Sequence, residues 1–269
     1  NAVISDVNFC RSSIAYCGHG AGNYWVTGAY SGTNALASSN GDKLPFIVSV
    51  ACRNGAFHSE SDSFAEQWLK ARHGGAITTL MSSIDQAWTP PMRGQDYFYD
   101  ILSGGYNYDN DAQSSGLSNN EQLSHWGAVI LNAFHLMLCE SSQNSDIETV
   151  KTWTSFGDES LQLRTKTPEK ITSSNNIAIE NTNFSTTITA GNQNVKNALV
   201  CLSQNGNYYK GFTNSRGVAT IGHNRQAGKS LLVVTAFNTT TIYDSITVIP
   251  NGQAYLSIND FSPKSMNYG

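Results

Sequence analysis

Apolar positions in the first two thirds of the chain fall into short unbroken runs. Ser12 to Cys17 (SSIAYC) stops at Gly18-His19-Gly20, Pro45 to Ala51 (PFIVSVA) stops at Cys52, and Ala76 to Met81 follows Gly74-Gly75. Runs of this length, bounded by turn residues, predict strands buried on both faces. Between the second and third, Ser63 to Arg72 (SFAEQWLKAR) places Phe64, Trp68 and Leu69 on one face at helical spacing, with glycines as the stop. The unit reads as strand, crossover helix, strand. Asn120 to Cys139 predicts a longer helix with Leu123, Trp126, Ile130, Leu131, Phe134 and Leu138 on its buried side. Such alternation implies a mainly parallel sheet flanked by helices, an α/β class.

The pattern changes beyond Thr167 and Pro168. Ala198 to Leu202, Tyr208 to Phe212, Val218 to Ile221, Ser230 to Phe237 and Thr241 to Ile249 are short β-rich runs, separated by turn signals such as Asn205-Gly206 and Ser215-Arg216-Gly217. This spacing predicts a small all-β sandwich. Asn-Gly is the strongest short hairpin signal, because both central residues need positive φ. Cys201 is expected in the core, and Asn183 and Asn238 head glycosylation sequons. Charge divides at the same place: residues 1 to 167 hold nine basic and sixteen acidic side chains, residues 168 to 269 seven and four. The expected organisation is an α/β domain over 1–167, a sandwich over 168–250 and a tail or linker over 251–269.

The chain of 269 residues carries a net charge of −4, which supplies no electrostatic footprint for nucleic acid or an anionic membrane. No run of eighteen apolar residues predicts a membrane span, and no basic-then-apolar leader opens the chain. Only 13% of residues are charged while Asn, Ser, Thr and Gly abound, a bias toward secreted or cell-surface proteins. Cys10, Cys17, Cys52, Cys139 and Cys201 are an odd set, so at least one thiol stays free or pairs outside the chain.

In parallel sheets, reactive groups gather beyond the carboxyl ends of the strands. His19 and Cys52 each lie just past such an end, which is what a thiol and its base require. An ordinary thiol, with a pKa of about 8.5, is mostly protonated at neutral pH, and a neighbouring imidazole can take that proton. The glycines around His19 let backbone N–H groups approach an oxyanion, with the Cys52 N–H as a second donor. Against this stands packing, since free Cys is among the most buried residue types. His58 is a rival base six residues from Cys52, while His73, His125, His135 and His223 read as helix, core or loop residues. Cys10, Cys17 and His19 lack the second compact pair of a zinc site, and Gly18-His19-Gly20-Ala21-Gly22 lacks the lysine and spacing of a phosphate loop.

Several segments in order resemble the catalytic core of gingipain-type cysteine endopeptidases, secreted relatives of the caspase-like fold. They are Tyr16 to Trp25 (YCGHGAGNYW), Leu44 to Phe57 (LPFIVSVACRNGAF), Phe64-Ala65-Glu66, Gly75 to Ser83, Trp88 to Asp96 (WTPPMRGQD) and Phe156 to Leu161. The resemblance implies His19 as base, Cys52 as nucleophile forming a thioester, and an oxyanion hole near Gly20 and Cys52. It implies that Trp88 walls the pocket for the side chain before the scissile bond. That side chain is expected to be basic, with Asp85 and Asp96 as candidate carboxylates. It also implies an immunoglobulin-like sandwich after the catalytic domain, a protein or peptide substrate, and a companion chain supplying the N-terminal half of the catalytic domain. That half usually carries the acidic residue that orients the histidine. The chemistry requires no cofactor and no catalytic metal site is expected, while a structural calcium is allowed for without assignable residues. The alternative is a catalytically inactive surface or adhesion protein retaining the fold.

Overall fold

The computed structural model describes residues 2–9, 11–59, 61–108, 117–222 and 225–252. Cys10, His223 and residues 253–269 of the expected tail lie outside the described residues. Tertiary contacts divide the chain into Asn1–Lys166 and Thr167–Gly269.

In the first unit, α1 (Ala2–Asn8) precedes β1 (Ser13–Cys17), a two-residue hairpin β2 (Tyr24–Trp25) and β3 (Tyr30–Ser31), and α2 (Gly32–Leu36). Next come β4 (Phe46–Val50), α3 (Phe64–Lys70), β5 (Thr78–Ser82), α4 (Thr89–Ser103), α5 (Trp126–Glu140), α6 (Asn144–Thr152) and β6 (Trp153–Phe156). The sheet runs β1-β4-β5-β6, parallel from β1 through β5 and antiparallel at β6. Every residue of β4 and β5 is buried, whereas β1 at the edge is half-covered, with Ala15 and Cys17 exposed.

Alternation along the central strands explains the three layers. Phe46, Val48, Val50 and Leu80 face a core with Phe98 and Ile101 of α4 and Trp126, Val129, Ala133 and Met137 of α5. Ile47 and Met81 face the opposite core with Trp25, Tyr30, Phe64 and Trp68. Helix α3 starts at a capping box in which Ser63 and Glu66 exchange hydrogen bonds, so the S-x-x-E signal sets its entry. Leu69 is not part of its buried face, since Phe64, Ala65 and Trp68 fill the available stripe. Helix α5 begins at Trp126 rather than Asn120, and Leu131 is 70% exposed because Val129, Ala133 and Leu136 occupy the core side. Helix α4 was hidden by Pro90 and Pro91, which read as breakers but sit in the first turn, where an amide donor would have no helical partner.

The second unit holds β7 (Ile171–Ser173), β8 (Ile177–Ile179), β9 (Phe184–Ala190), β10 (Gln193–Asn194), β11 (Leu199–Gln204), β12 (Asn207–Phe212), β13 (Val218–Ile221), β14 (Gly228–Thr235) and β15 (Ile242–Ile249). One sheet is β10-β9-β13 with β7 also on β9; the other is β12-β11-β14-β15-β8. Ile171, Phe184, Ile188 and Ile221 of the first pack on Val200, Leu202, Leu232, Val234 and Ile246 of the second, which makes a two-sheet sandwich. Cys201 is not in this core: Val200 and Leu202 point inward, so strand alternation turns Cys201 to the outer face. Of the two sequons, Asn183 is exposed and Asn238 is buried.

Candidate active site

β1 and β4 are parallel neighbours in register, with Cys17 opposite Val50, so the segments that follow them leave the sheet at the same end. The Gly18 N–H still donates to the Val50 carbonyl at 3.1 Å. The His19 carbonyl then accepts from the Val26 N–H and the Tyr16 hydroxyl, both at 2.9 Å. A bond from the Ala21 N–H to the Tyr24 carbonyl (3.1 Å) completes a small turn in which Gly20 lies opposite Trp25. These bonds flank Gly20, so its own N–H and C=O point away from β2. A β-carbon on Gly20 would collide with the Cys52 carbonyl oxygen and come within 3.0 Å of the Cys52 nitrogen. Only glycine lets the His19 loop lie against the Cys52 turn.

Cys52 opens a tight turn at the end of β4. Arg53 takes φ 57°, a left-handed conformation uncommon for a residue of this type. Its N–H donates to the Ile84 carbonyl (3.0 Å), and the Gly55 N–H to that of Ser82 (2.7 Å), which fixes the turn to the end of β5. The half-buried Cys52 Sγ donates to the Gln86 carbonyl at 3.9 Å. The Arg53 guanidinium grips Asp85 with two bonds, Nε to Oδ1 at 2.9 Å and Nη2 to Oδ2 at 2.8 Å. Its pKa is raised by that hydrogen bond, then by the Asp85 charge, and least by Cys52.

Trp88, 48% exposed at the start of α4, sets its ring edge-on to the His19 imidazole at 5.2 Å and 76°. His19, Gly20, Cys52 and Trp88 are therefore brought to one place. Asp85 lies beside them but is committed to Arg53. Asp96 is not brought there: it lines a separate groove of about 490 Å³ with Arg93, Tyr97, Tyr99, Asp100 and Glu140, because eight residues of helix carry it about 12 Å along α4 from Trp88. His58 stacks edge-on to Phe57 at 6.1 Å and lines a hollow of about 350 Å³ with Arg53, Ser83, Asp85 and Glu148. Among the described residues no three His, Cys, Asp or Glu side chains gather as a metal site.

Sequence reasoning missed the supports. Gln95 donates to the Tyr16 (3.2 Å) and Val48 (3.0 Å) carbonyls, so α4 clamps β1 to β4 directly beneath the two loops. Arg93 pairs with Asp146 and Glu140, tying α4 to α5 and α6. Within WTPPMRGQD the resemblance assigns roles only to Trp88 and Asp96, whereas Arg93 and Gln95 make the bonds that fix α4. Buried Ser49 and Asn54 also carried a signal, as polar residues inside or just after an apolar strand.

A cysteine and a histidine on adjacent loops at the carboxyl end of an α/β sheet form an arrangement that suits a cysteine peptidase site. The family model for Peptidase family C25 matches residues 1–164, and the chain belongs to that family. Gingipain R1 of Porphyromonas gingivalis is 29% identical over 269 residues, covering 98% of this chain and 25% of its own length. Gingipain R2 of the same organism is 33% identical over 173 residues, 63% of this chain and 22% of its own. The crystal structure of the Arg specific cysteine proteinase gingipain R superposes with a TM-score of 0.77 at 27% identity, covering 92% of this chain and 55% of that one. A complex of Porphyromonas gingivalis RgpB pro- and mature domains gives 0.76 at 27% identity, covering 92% and 56%. The first unit thus has the caspase-like fold of these peptidases, and the chain spans about a quarter of the length of the curated relatives and just over half of the solved ones.

Proposed function

We propose that this chain carries the nucleophile and base of a secreted or cell-surface cysteine endopeptidase. The single observation behind this reading is the seating of Gly20 on the Cys52 backbone, which puts the His19 loop and the Cys52 turn in contact. His19 takes the Cys52 thiol proton as sulfur attacks the substrate carbonyl carbon, and the oxyanion is received by the Gly20 and Cys52 N–H groups. The C–N bond then breaks as His19 returns the proton to the leaving amine. Water, deprotonated by His19, attacks the resulting thioester and restores the thiol. Substrates are proteins or peptides with a basic residue before the cut, its side chain against Trp88. Since Asp85 is held by Arg53, the carboxylate that receives this side chain comes from elsewhere.

A companion chain is the source that fits. Among the described residues β1 pairs only with β4, and its outer edge, with Ala15 and Cys17 exposed, is where a further strand would add. One solved relative is itself a complex, of pro- and mature domains. The sandwich then acts as an immunoglobulin-like appendage with no chemistry of its own. Among the described residues no helix is long and apolar enough to cross a membrane.

The test uses the native assembly. Cys52→Ala is expected to abolish peptide hydrolysis and His19→Ala to lower it by about 10³-fold or more, while His58→Ala stays within a few-fold of the parent. Iodoacetamide is expected to modify Cys52 ahead of Cys139 and Cys201. Full turnover by Cys52→Ala would sink the reading. A parent protein that neither cleaves peptides nor shows selective Cys52 labelling would be the inactive surface protein instead.

A further inference from the structure

We propose that Asn54 is a positioning residue: its buried side-chain amide sets the distance between the His19 loop and the Cys52 turn. The proposal rests on the reading of His19 and Cys52 as base and nucleophile. Asn54 lies two residues after Cys52 and has no exposed surface. Its Nδ2 donates to the Gly22 carbonyl at 3.2 Å and the Tyr24 carbonyl at 3.3 Å, both in the loop that follows His19. Its Oδ1 accepts from the Ser49 hydroxyl at 3.4 Å, and that hydroxyl accepts from the Trp25 indole N–H at 3.0 Å. Tyr24 and Trp25 are consecutive, so the bonds close a ring that joins the His19 loop, β4 and the Cys52 turn.

Both sides of the ring are anchored. The Asn54 carbonyl accepts from the Ala65 N–H at 2.9 Å, which fixes the turn to α3, and the Ser49 carbonyl accepts from the Trp153 indole at 3.1 Å. On the other side, Val26 donates to the His19 carbonyl, so a displaced Tyr24-Trp25 pair carries His19 with it. Each bond is long and weak alone; the Ser49 and Trp25 links are buried, the two to the Gly22 and Tyr24 carbonyls are part-buried, and the Tyr24 carbonyl also accepts from the Ala21 N–H, so it is the joint action of the ring that holds the loop. Asparagine is the residue this place requires, since it presents two donors and an acceptor on a short stem. Aspartate keeps the shape and loses both donors. Misplacing a catalytic group by about 1 Å costs up to about 10²-fold in rate.

The test measures Asn54→Ala and Asn54→Asp in the native assembly, with rates expressed per titrated active site. The expected result is a kcat lowered by about 10- to 100-fold with KM changed less than about threefold. The pH profile of Cys52 alkylation by iodoacetamide is expected to move toward that of His19→Ala, a shift that lost stability alone does not produce. Wild-type kcat per site with an unmoved alkylation profile in either variant overturns the proposal. If neither variant folds, Ser49→Ala decides: a profile displaced in the same direction supports the ring, and an unmoved one overturns it. A His19→Ala enzyme that alkylates and cleaves like the parent would instead refute the dyad, a result distinct from any failure at Asn54.

Discussion

The two units build their tight turns from different residues. Among the described residues of the sandwich the non-glycine positions with positive φ are Asn181, Asn197, Asn205 and Asn238, all of the type that tolerates this conformation best. In the α/β unit they include Ala29 and Arg53, for which a left-handed backbone costs about 1–2 kcal/mol each. Both lie beside the site: Arg53 follows Cys52, and the Ala29 N–H bonds to Val26, whose own N–H holds the His19 carbonyl. Asn120, away from the site, is again an asparagine. Turns of the sandwich are chosen for ease of folding, whereas those around Cys52 hold a geometry that the residues do not favour.

The largest effect that tests this difference is expected at Gly20. Gly20→Ala places a methyl group against the Cys52 carbonyl, so the His19 loop must lift from the turn. We expect kcat/KM to fall by about 10²-fold or more while circular dichroism remains that of the parent. An active Gly20→Ala enzyme would mean that the two loops are not held in the contact described here.

The counterpart in the sandwich is Gly206. Its φ is 78° and nothing lies within 4 Å of the β-carbon that alanine would add, so Gly206→Ala meets strain but no clash. The β11–β12 hairpin should lose about 1–2 kcal/mol, read in the denaturant midpoint, with kcat and KM unchanged. A loss of activity from this substitution would contradict the division of labour between the units.

The same contrast explains what was legible in the sequence. Asn205-Gly206 announced its hairpin because the residues the turn needs are the residues that mark turns, and φ values of 51° and 78° match the expectation. Central strands β4 and β5 were legible because burial on both faces demands continuous apolar runs. Strand β9 was not, since Thr186 and Thr187 count as polar although β-branched side chains suit a strand, and Thr186 is in fact buried. At the site, His19 and Cys52 could be placed at strand ends, but Asn54 and Gln95 act through bonds to distant backbone carbonyls, and Ser49 through the side chains of Asn54 and Trp25, which no local pattern encodes. Asp96 was drawn toward the site by nearness in sequence to Trp88, which a helix of fifteen residues does not preserve in space.

The smallest expected effect is at Arg53, and it separates strain kept for function from strain without consequence. Arg53→Gly removes the cost of positive φ and also removes the ion pair with Asp85. That pair is exposed, at 61% and 65% for the two side chains, and such pairs contribute about 0–1 kcal/mol. Glycine's greater freedom in the unfolded chain costs a further 0.5–1 kcal/mol or so. These terms oppose the relief of strain, so stability should stay within about 1 kcal/mol of the parent. Activity should respond more clearly. The loop after β5 carries Asp85, the Gln86 carbonyl that accepts from Cys52 Sγ, and Trp88 against His19. Without the guanidinium that loop is held to the Cys52 turn mainly by the residue 53 N–H and its Ile84 partner. A fall in kcat/KM of a few-fold, in line with the loss of about 1 kcal/mol of positioning, is the expected outcome. Arg53→Lys keeps the positive φ and the charge but not the paired bonds, so it should lose a similar amount of activity without gaining stability. If Arg53→Gly raises stability by 2 kcal/mol or so and leaves kcat/KM untouched, the left-handed turn after Cys52 serves no purpose in the site, and the difference between the two units is one of residue choice alone.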